Sequence, residues 1–160
     1  MKNLQALFEH ELKDLYSAEK QLIEVLPKII DSASDSKLQK ALSNHLKQTK
    51  SHKEKVDKIL NELDVKRGDT KCDAMAGLIK ECEGMLDSKA TPEVMDAGII
   101  ARVQRCEHYE ITGYGTAKLY AMTLGHDDIA KKLDDILDEE SRCNEDLNDL
   151  AVQEINKKAK

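Results

Sequence analysis

The chain has 160 residues and a mass of 18.0 kDa, enough for one domain with a sizeable core. Its net charge is −6 with no long basic run, which argues against nucleic acid or an anionic membrane as a partner. Aromatics make up 3%, Trp is absent, and Pro and Gly number only 2 and 7, a composition suited to helices and poor for a sheet.

No apolar run approaches the roughly 18 residues of a membrane span. The opening stretch, MKNLQALFEHELKDLY, is charged within a helical pattern and lacks a signal-peptide core, so a cytoplasmic location is expected. Cys72, Cys82, Cys106 and Cys143 form no CxxC pair and are expected to be reduced thiols.

The first helix is predicted from about Leu4 to about Ile30. Its apolar seam is Phe8, Leu12, Leu15, Glu19, Leu22, Leu26 and Ile29, with Glu19 the one charge in the row. Pro27 removes one backbone donor near its end. DSASDS breaks the pattern and offers an N-cap. The second helix, Ser36 to about Leu63, has the seam Leu38, Leu42, His45, Thr49, His52, Val56, Ile59 and Leu63, with three polar positions at its middle. Gly68 marks a turn. The stretch from about 64 to 92 is too long for a tight turn and reads as a crossover with its own short helix near residues 73–87. Thr91 and Pro92 suit the start of the third long helix, about Glu93 to Leu124. Its seam is Ile100, Val103, Glu107, Glu110, Tyr114, Ala117, Ala121 and Leu124. Gly113 and Gly115 fall inside this helix, where each costs roughly 1 kcal/mol against Ala, so both point to close helix approach. The fourth helix, Asp127 to about Asn156, has the seam Ile129, Leu133, Ile136, Glu140, Cys143, Leu147 and Leu150. The basic end, NKKAK, reads as a frayed, solvated helix terminus.

Two long helical hairpins joined by a crossover make an all-α four-helix bundle. Each helix breaks its apolar seam near its own middle, and the hairpin registers set those breaks opposite one another. Glu19, His45, His52, Glu107, Glu110 and Glu140 thus form one candidate layer. Charged and unpaired carboxylates in a core cost several kcal/mol each by order of magnitude. Shared protons, basic partners or a metal must offset that. Carboxylates with one or two imidazoles suit two closely spaced iron or manganese ions; thiolate-rich zinc chemistry is not suggested. His45 reads as a hydrogen-bonded core histidine, a nitrogen ligand or a donor that orients one, and His52 reads as a ligand on its position. Tyr16 and Tyr114 are within reach of hydrogen bonds to the carboxylates, with packing their default. Cys106 and Cys143 read as small core residues. Asp134, Asp135, Asp138 and Glu139 read as a solvated helix face.

The segments LYSAEKQL at 15–22, His45-Leu46 with Thr49, KCDAMAGLI at 71–79, EHYEITGYGT at 107–116 and LDEES at 137–141 resemble the ferritin-like YciF/YciE family of small bacterial stress proteins. The resemblance covers nearly the whole chain. It implies a ferritin-like bundle, in a superfamily with rubrerythrins, ferritins and other di-iron carboxylate proteins. The usual pattern there is a Glu on one helix of each half and Glu-x-x-His on the other. Glu19 and Glu107 match the first- and third-helix Glu, and Glu110 is similar to the extra Glu of rubrerythrins. The second-helix motif reads Thr49-x-x-His52 and the fourth Glu140-x-x-Cys143, so one Glu and one His of the pattern are absent.

Two functions are expected from this. One is a redox or metal-handling protein whose two-metal site meets peroxide or dioxygen. The other is a non-catalytic structural or interaction bundle with a leftover polar layer. A homodimer is expected from the resemblance and from the crossover, whose Met75, Leu78, Ile79 and Leu86 need a surface to cover.

Overall fold

Short polar side chains at the breaks satisfy the free N–H groups that open a helix. In the computed structural model, which describes residues 1–160, Asn3 caps α1 (Leu4–Ser32) by accepting from Ala6 N at 2.9 Å. Asp35 caps α2 (Ser36–Glu62) by accepting from Lys37 N and Leu38 N. The crossover helix α3 (Asp73–Leu86) is capped by a thiol, Cys72 Sγ accepting from Met75 N at 3.4 Å. Pro92 sits in the first turn of α4 (Pro92–Thr123) as predicted, but the Thr91 side chain makes no capping hydrogen bond. α5 (Asp127–Leu150) begins with Asp127 and Asp128, which favour the positive end of the helix dipole. Beyond Leu150 the chain widens into a π-helical turn, Ala151–Ile155, before a last turn, α6 (Asn156–Lys158). The fourth long helix therefore stops short of the predicted Asn156.

α1 packs on α2 and α4 on α5 as two hairpins, while α1 against α4 and α2 against α5 close the bundle. This is the all-α four-helix bundle expected, with α3 carried on the crossover and laid on α1 and α4. Pro27 lies inside α1 without ending it. The link from α2 to α3 turns at Asp64 and Gly68, whose φ values are 54° and 65°. Asp64 closes α2 in the left-handed conformation, with Val65 N donating to Leu60 O at 2.9 Å.

The apolar core is split in two. One cluster gathers Ala18, Leu22 and Leu26 of α1 with Leu38 and Leu42 of α2, Ile99 to Cys106 of α4, Leu147 of α5 and the buried face of α3. The other gathers Phe8, Leu12 and Leu15 with Val56, Ile59 and Leu60, Tyr114 to Ala121, and Ile129 to Ile136. The polar seam positions lie between the two clusters on every long helix.

Three of four local expectations change. Met75 and Cys82 of α3 are buried within this chain, and Leu78, Ile79 and Leu86 pack on its core. The crossover finds its surface inside one protomer, and that ground for a dimer falls away. A Cβ at Gly113 would sit 2.8 Å from Leu15 Cδ2, so this glycine does allow α1 and α4 to approach. One at Gly115 would meet nothing nearer than Leu137 Cδ2 at 3.9 Å, an ordinary contact, so close approach does not explain it. The basic end is tied down: Lys158 Nζ lies 2.7 Å from Asp35 Oδ2, the cap of α2.

Asp96, a buried acid on α4 that the seam pattern did not mark, clamps the α1–α2 turn. Its carboxylate accepts from Ser34 N at 2.7 Å, Ser34 Oγ at 2.6 Å and Asp35 N at 3.0 Å. Asp96→Ala should destabilise the protein by about 1–3 kcal/mol, since it strips three donors of their acceptor. Denaturant unfolding midpoints of the two proteins check this.

Candidate metal centre

The layer between the two clusters is built one helix at a time. α1 supplies Glu19, α2 supplies His45 and His52, α4 supplies Glu107 and Glu110, and α5 supplies Glu140, all six buried. Heptad-like steps of three and four put these groups on the same inward stripe as the leucines around them. Ligand atoms fall into three overlapping groups, each with its members within 4.8 Å: Glu19, His52 and Glu140; Glu107, Glu110 and Glu140; and His45, Glu107 and Cys143. Every residue predicted for the site is brought into the layer, with Glu140 common to the first two groups. Thr49, in place of the usual Glu, takes no part: its hydroxyl donates to His45 O at 2.8 Å on its own helix.

These groups approach closely but are poorly aligned for hydrogen bonding. His45 Nε2 lies 3.0 Å from Glu107 Oε1, and His52 Nδ1 lies 2.8 Å from Glu140 Oε1 and 3.6 Å from Glu19 Oε1. Yet none of these nitrogens, nor the Glu107 and Glu140 oxygens, has an aligned partner. Of twelve buried side-chain nitrogen and oxygen atoms left without a partner in the whole chain, ten belong to Glu19, His45, His52, Glu107, Glu110 and Glu140. Native cores leave very few such atoms.

Two residues at the rim position the inner ones. Tyr114, buried in α4, donates its hydroxyl to Glu19 Oε1, one of the two roles open to it from sequence. Tyr16 is elsewhere: its ring faces Lys53 and Arg67. Glu139 belongs to the acidic run that reads as a solvated face, but it holds His52 Nε2 at 2.8 Å and Lys55 Nζ at 2.9 Å. Sequence signals for Glu139 existed only in its place beside Glu140, one step off the seam. With Nε2–H donated outward to Glu139, Nδ1 of His52 is the ring atom that faces the layer.

Without a metal, burial favours protonated carboxylates in the layer. Burial, reinforced by neighbouring carboxylates, raises Glu19, Glu107 and Glu110 well above the usual carboxylate range. Burial pulls the same way on Glu140, but the two imidazoles outweigh it and hold Glu140 low. His45 is lowered by burial. Burial would lower His52 too, but Glu140, Glu19 and Glu139 overturn that and raise it to about 9. Cys143 is pushed up by burial and by Glu107 and Glu140, so it is a thiol in this state.

No helix is long and apolar enough to cross a membrane. Residues 3–160 match a family model described as a domain of unknown function, DUF892. The chain is 42% identical over 160 residues to Protein YciF of Escherichia coli (strain K12), covering 99% of this chain and 96% of that protein. The crystal structure of the E. coli stress protein YciF is 41% identical, with a TM-score of 0.94 over 98% of this chain and 99% of that one. YcfI of Rhodopseudomonas palustris is 39% identical, with a TM-score of 0.89 over 92% and 94% of the two chains. Similarity of sequence and backbone along the full length places the chain in the DUF892 family, among the YciF-like proteins with the ferritin-like helical bundle.

Proposed function

We propose that the buried layer holds two closely spaced iron or manganese ions and that the protein uses them on a small oxidant, peroxide or dioxygen. The reading rests on the ten partnerless nitrogen and oxygen atoms that converge in one layer. Hydrogen bonding within the protein leaves them poorly satisfied, whereas metal ions would take a ligand atom from each of the six residues. Charge supports the same reading, because four carboxylates balance two divalent cations. Glu19, His52 and Glu140 would hold one ion. Glu107 and Glu110, with Glu140 shared and His45 as the nitrogen donor, would hold the other.

A bound pair of such ions would supply electron transfer to the oxidant. The chain's own residues do the rest. Glu139 fixes the tautomer of His52, and Tyr114 holds Glu19 in place. The apolar clusters on either side exclude water and strengthen every charge interaction between them. Glu107 and Glu110 have no aligned hydrogen-bond partner, so neither carboxylate would be tied away from a bound ion.

Metal analysis of protein purified without chelator should return about two iron or manganese ions per chain, and ferrous-loaded protein should consume peroxide faster than free ferrous ion. Protein that is metal-free as isolated and takes up neither ion would leave the non-catalytic bundle as the reading. A homodimer belongs to this proposal on family resemblance alone. Sedimentation at micromolar concentration should show a species of twice the 18.0 kDa chain mass, and a monomer alone would count against it.

A further inference from the structure

The two ends of the layer are chemically unlike. The Glu19, His52 and Glu140 group offers one nitrogen and two oxygens, whereas the His45, Glu107 and Cys143 group offers nitrogen, oxygen and sulfur. Cys143 sits on α5 one turn beyond Glu140, so its Sγ projects from the same stripe toward α2 and α4. His45 and Glu107 are more than nine-tenths buried, and neither ring nitrogen nor either carboxylate oxygen has an aligned partner. One ligand atom of each lies within 4.8 Å of Cys143 Sγ.

We propose that Cys143 is a metal ligand, making this end of the layer a nitrogen–oxygen–sulfur position for a borderline ion such as ferrous, zinc or cobaltous ion. The proposal rests on the two-metal reading and refines it. Thiolates favour borderline and soft ions, while carboxylates suit manganese. The cysteine end should therefore select against manganese, and the Glu19 end should accept it. As the metal–sulfur bond forms, the Sγ–H bond breaks and its proton passes to water, as for any cysteine ligand. Position also explains how the bundle manages with a Cys in the fourth-helix motif: His45, one turn before Thr49, supplies the nitrogen that a His at 143 would give.

Cobaltous ion tests this in the full-length protein. Loaded protein should show visible ligand-field bands and a near-ultraviolet sulfur-to-cobalt charge-transfer band. Cys143→Ser should lose the near-ultraviolet band and keep the visible ones, and Cys106→Ser, at a buried thiol outside the three groups, should keep both. In the parent protein Cys143, the one partly exposed cysteine, should be alkylated when metal-free and protected when loaded, as mapped by mass spectrometry. That measurement decides the matter if Cys143→Ser fails to fold: protection together with the near-ultraviolet band supports ligation, and alkylation of the loaded protein overturns it. Visible bands alone in the parent, or a near-ultraviolet band that survives Cys143→Ser, would overturn the cysteine ligand and leave the two-metal site standing. No bands and no change in melting temperature would overturn both.

Discussion

Metal-loaded protein is expected to melt about 5–10 °C above the metal-free form, and Glu107→Gln with Glu110→Gln is expected to abolish that difference. A ligand that binds only the folded state at 100 times its Kd adds about 2.7 kcal/mol. For a chain of this size each kcal/mol moves the melting temperature by about 2–4 °C. The double variant removes ligand charge without removing volume. Burial and their neighbours favour the neutral form of both glutamates in the metal-free protein. Glutamine therefore resembles what stands there in that state, and the variant's metal-free stability should equal or exceed the parent's. Thermal melts of the two proteins, with ferrous or manganous ion and with chelator, separate the readings. A structural layer predicts no metal shift in the parent and one fixed effect of the double change in either condition. That pattern would rule out the metal site and the redox function with it.

The layer was legible because carboxylates and imidazoles at apolar seam positions contradict the pattern around them. Glu19, Glu107, Glu110 and Glu140 could be found that way, and hairpin register brought them to one level. Glu139 escaped because it sits one step off the seam within an acidic run; only the position of His52 across the α2–α5 interface gives it a function. Asp96 escaped because its partners lie 61 and 62 residues away in the turn before α2, a distance no helical period reports. Cys143 was read as core, since a lone cysteine on a seam packs like a small apolar residue. Its neighbours His45 and Glu107 come from two other helices. The end of α5 was overrun for a related reason: apolar spacing continues through Ala151 and Ile155, both buried, while the backbone between them widens to a π-turn.

Raising the pH from 6.5 to 9 should lower the melting temperature of the metal-free protein and affect the loaded protein much less. His52 has a folded pKa of about 9 against an ordinary 6.5. Its contribution is complete below 6.5 and is lost as pH rises through 9, a rise corresponding to about 3 kcal/mol. Glu19, Glu107 and Glu110 are raised above their ordinary 4.5. They act in the same direction: the stability of their neutral forms is present below 4.5 and is lost as pH climbs through their folded values. Two groups oppose this trend outside the window. Glu140 is lowered, so its contribution is lost only in acid. His45 is lowered from 6.5, so its cost is felt mainly below that pH. Between 6.5 and 9 the balance falls, and several degrees of melting temperature should go with it. Bound divalent ions displace the protons and leave the carboxylates ionised in both limits, which flattens the profile. Melts in chelator at the two pH values check the sign. A metal-free profile that is level or rises over this range would mean that the layer does not hold its protons as this geometry requires.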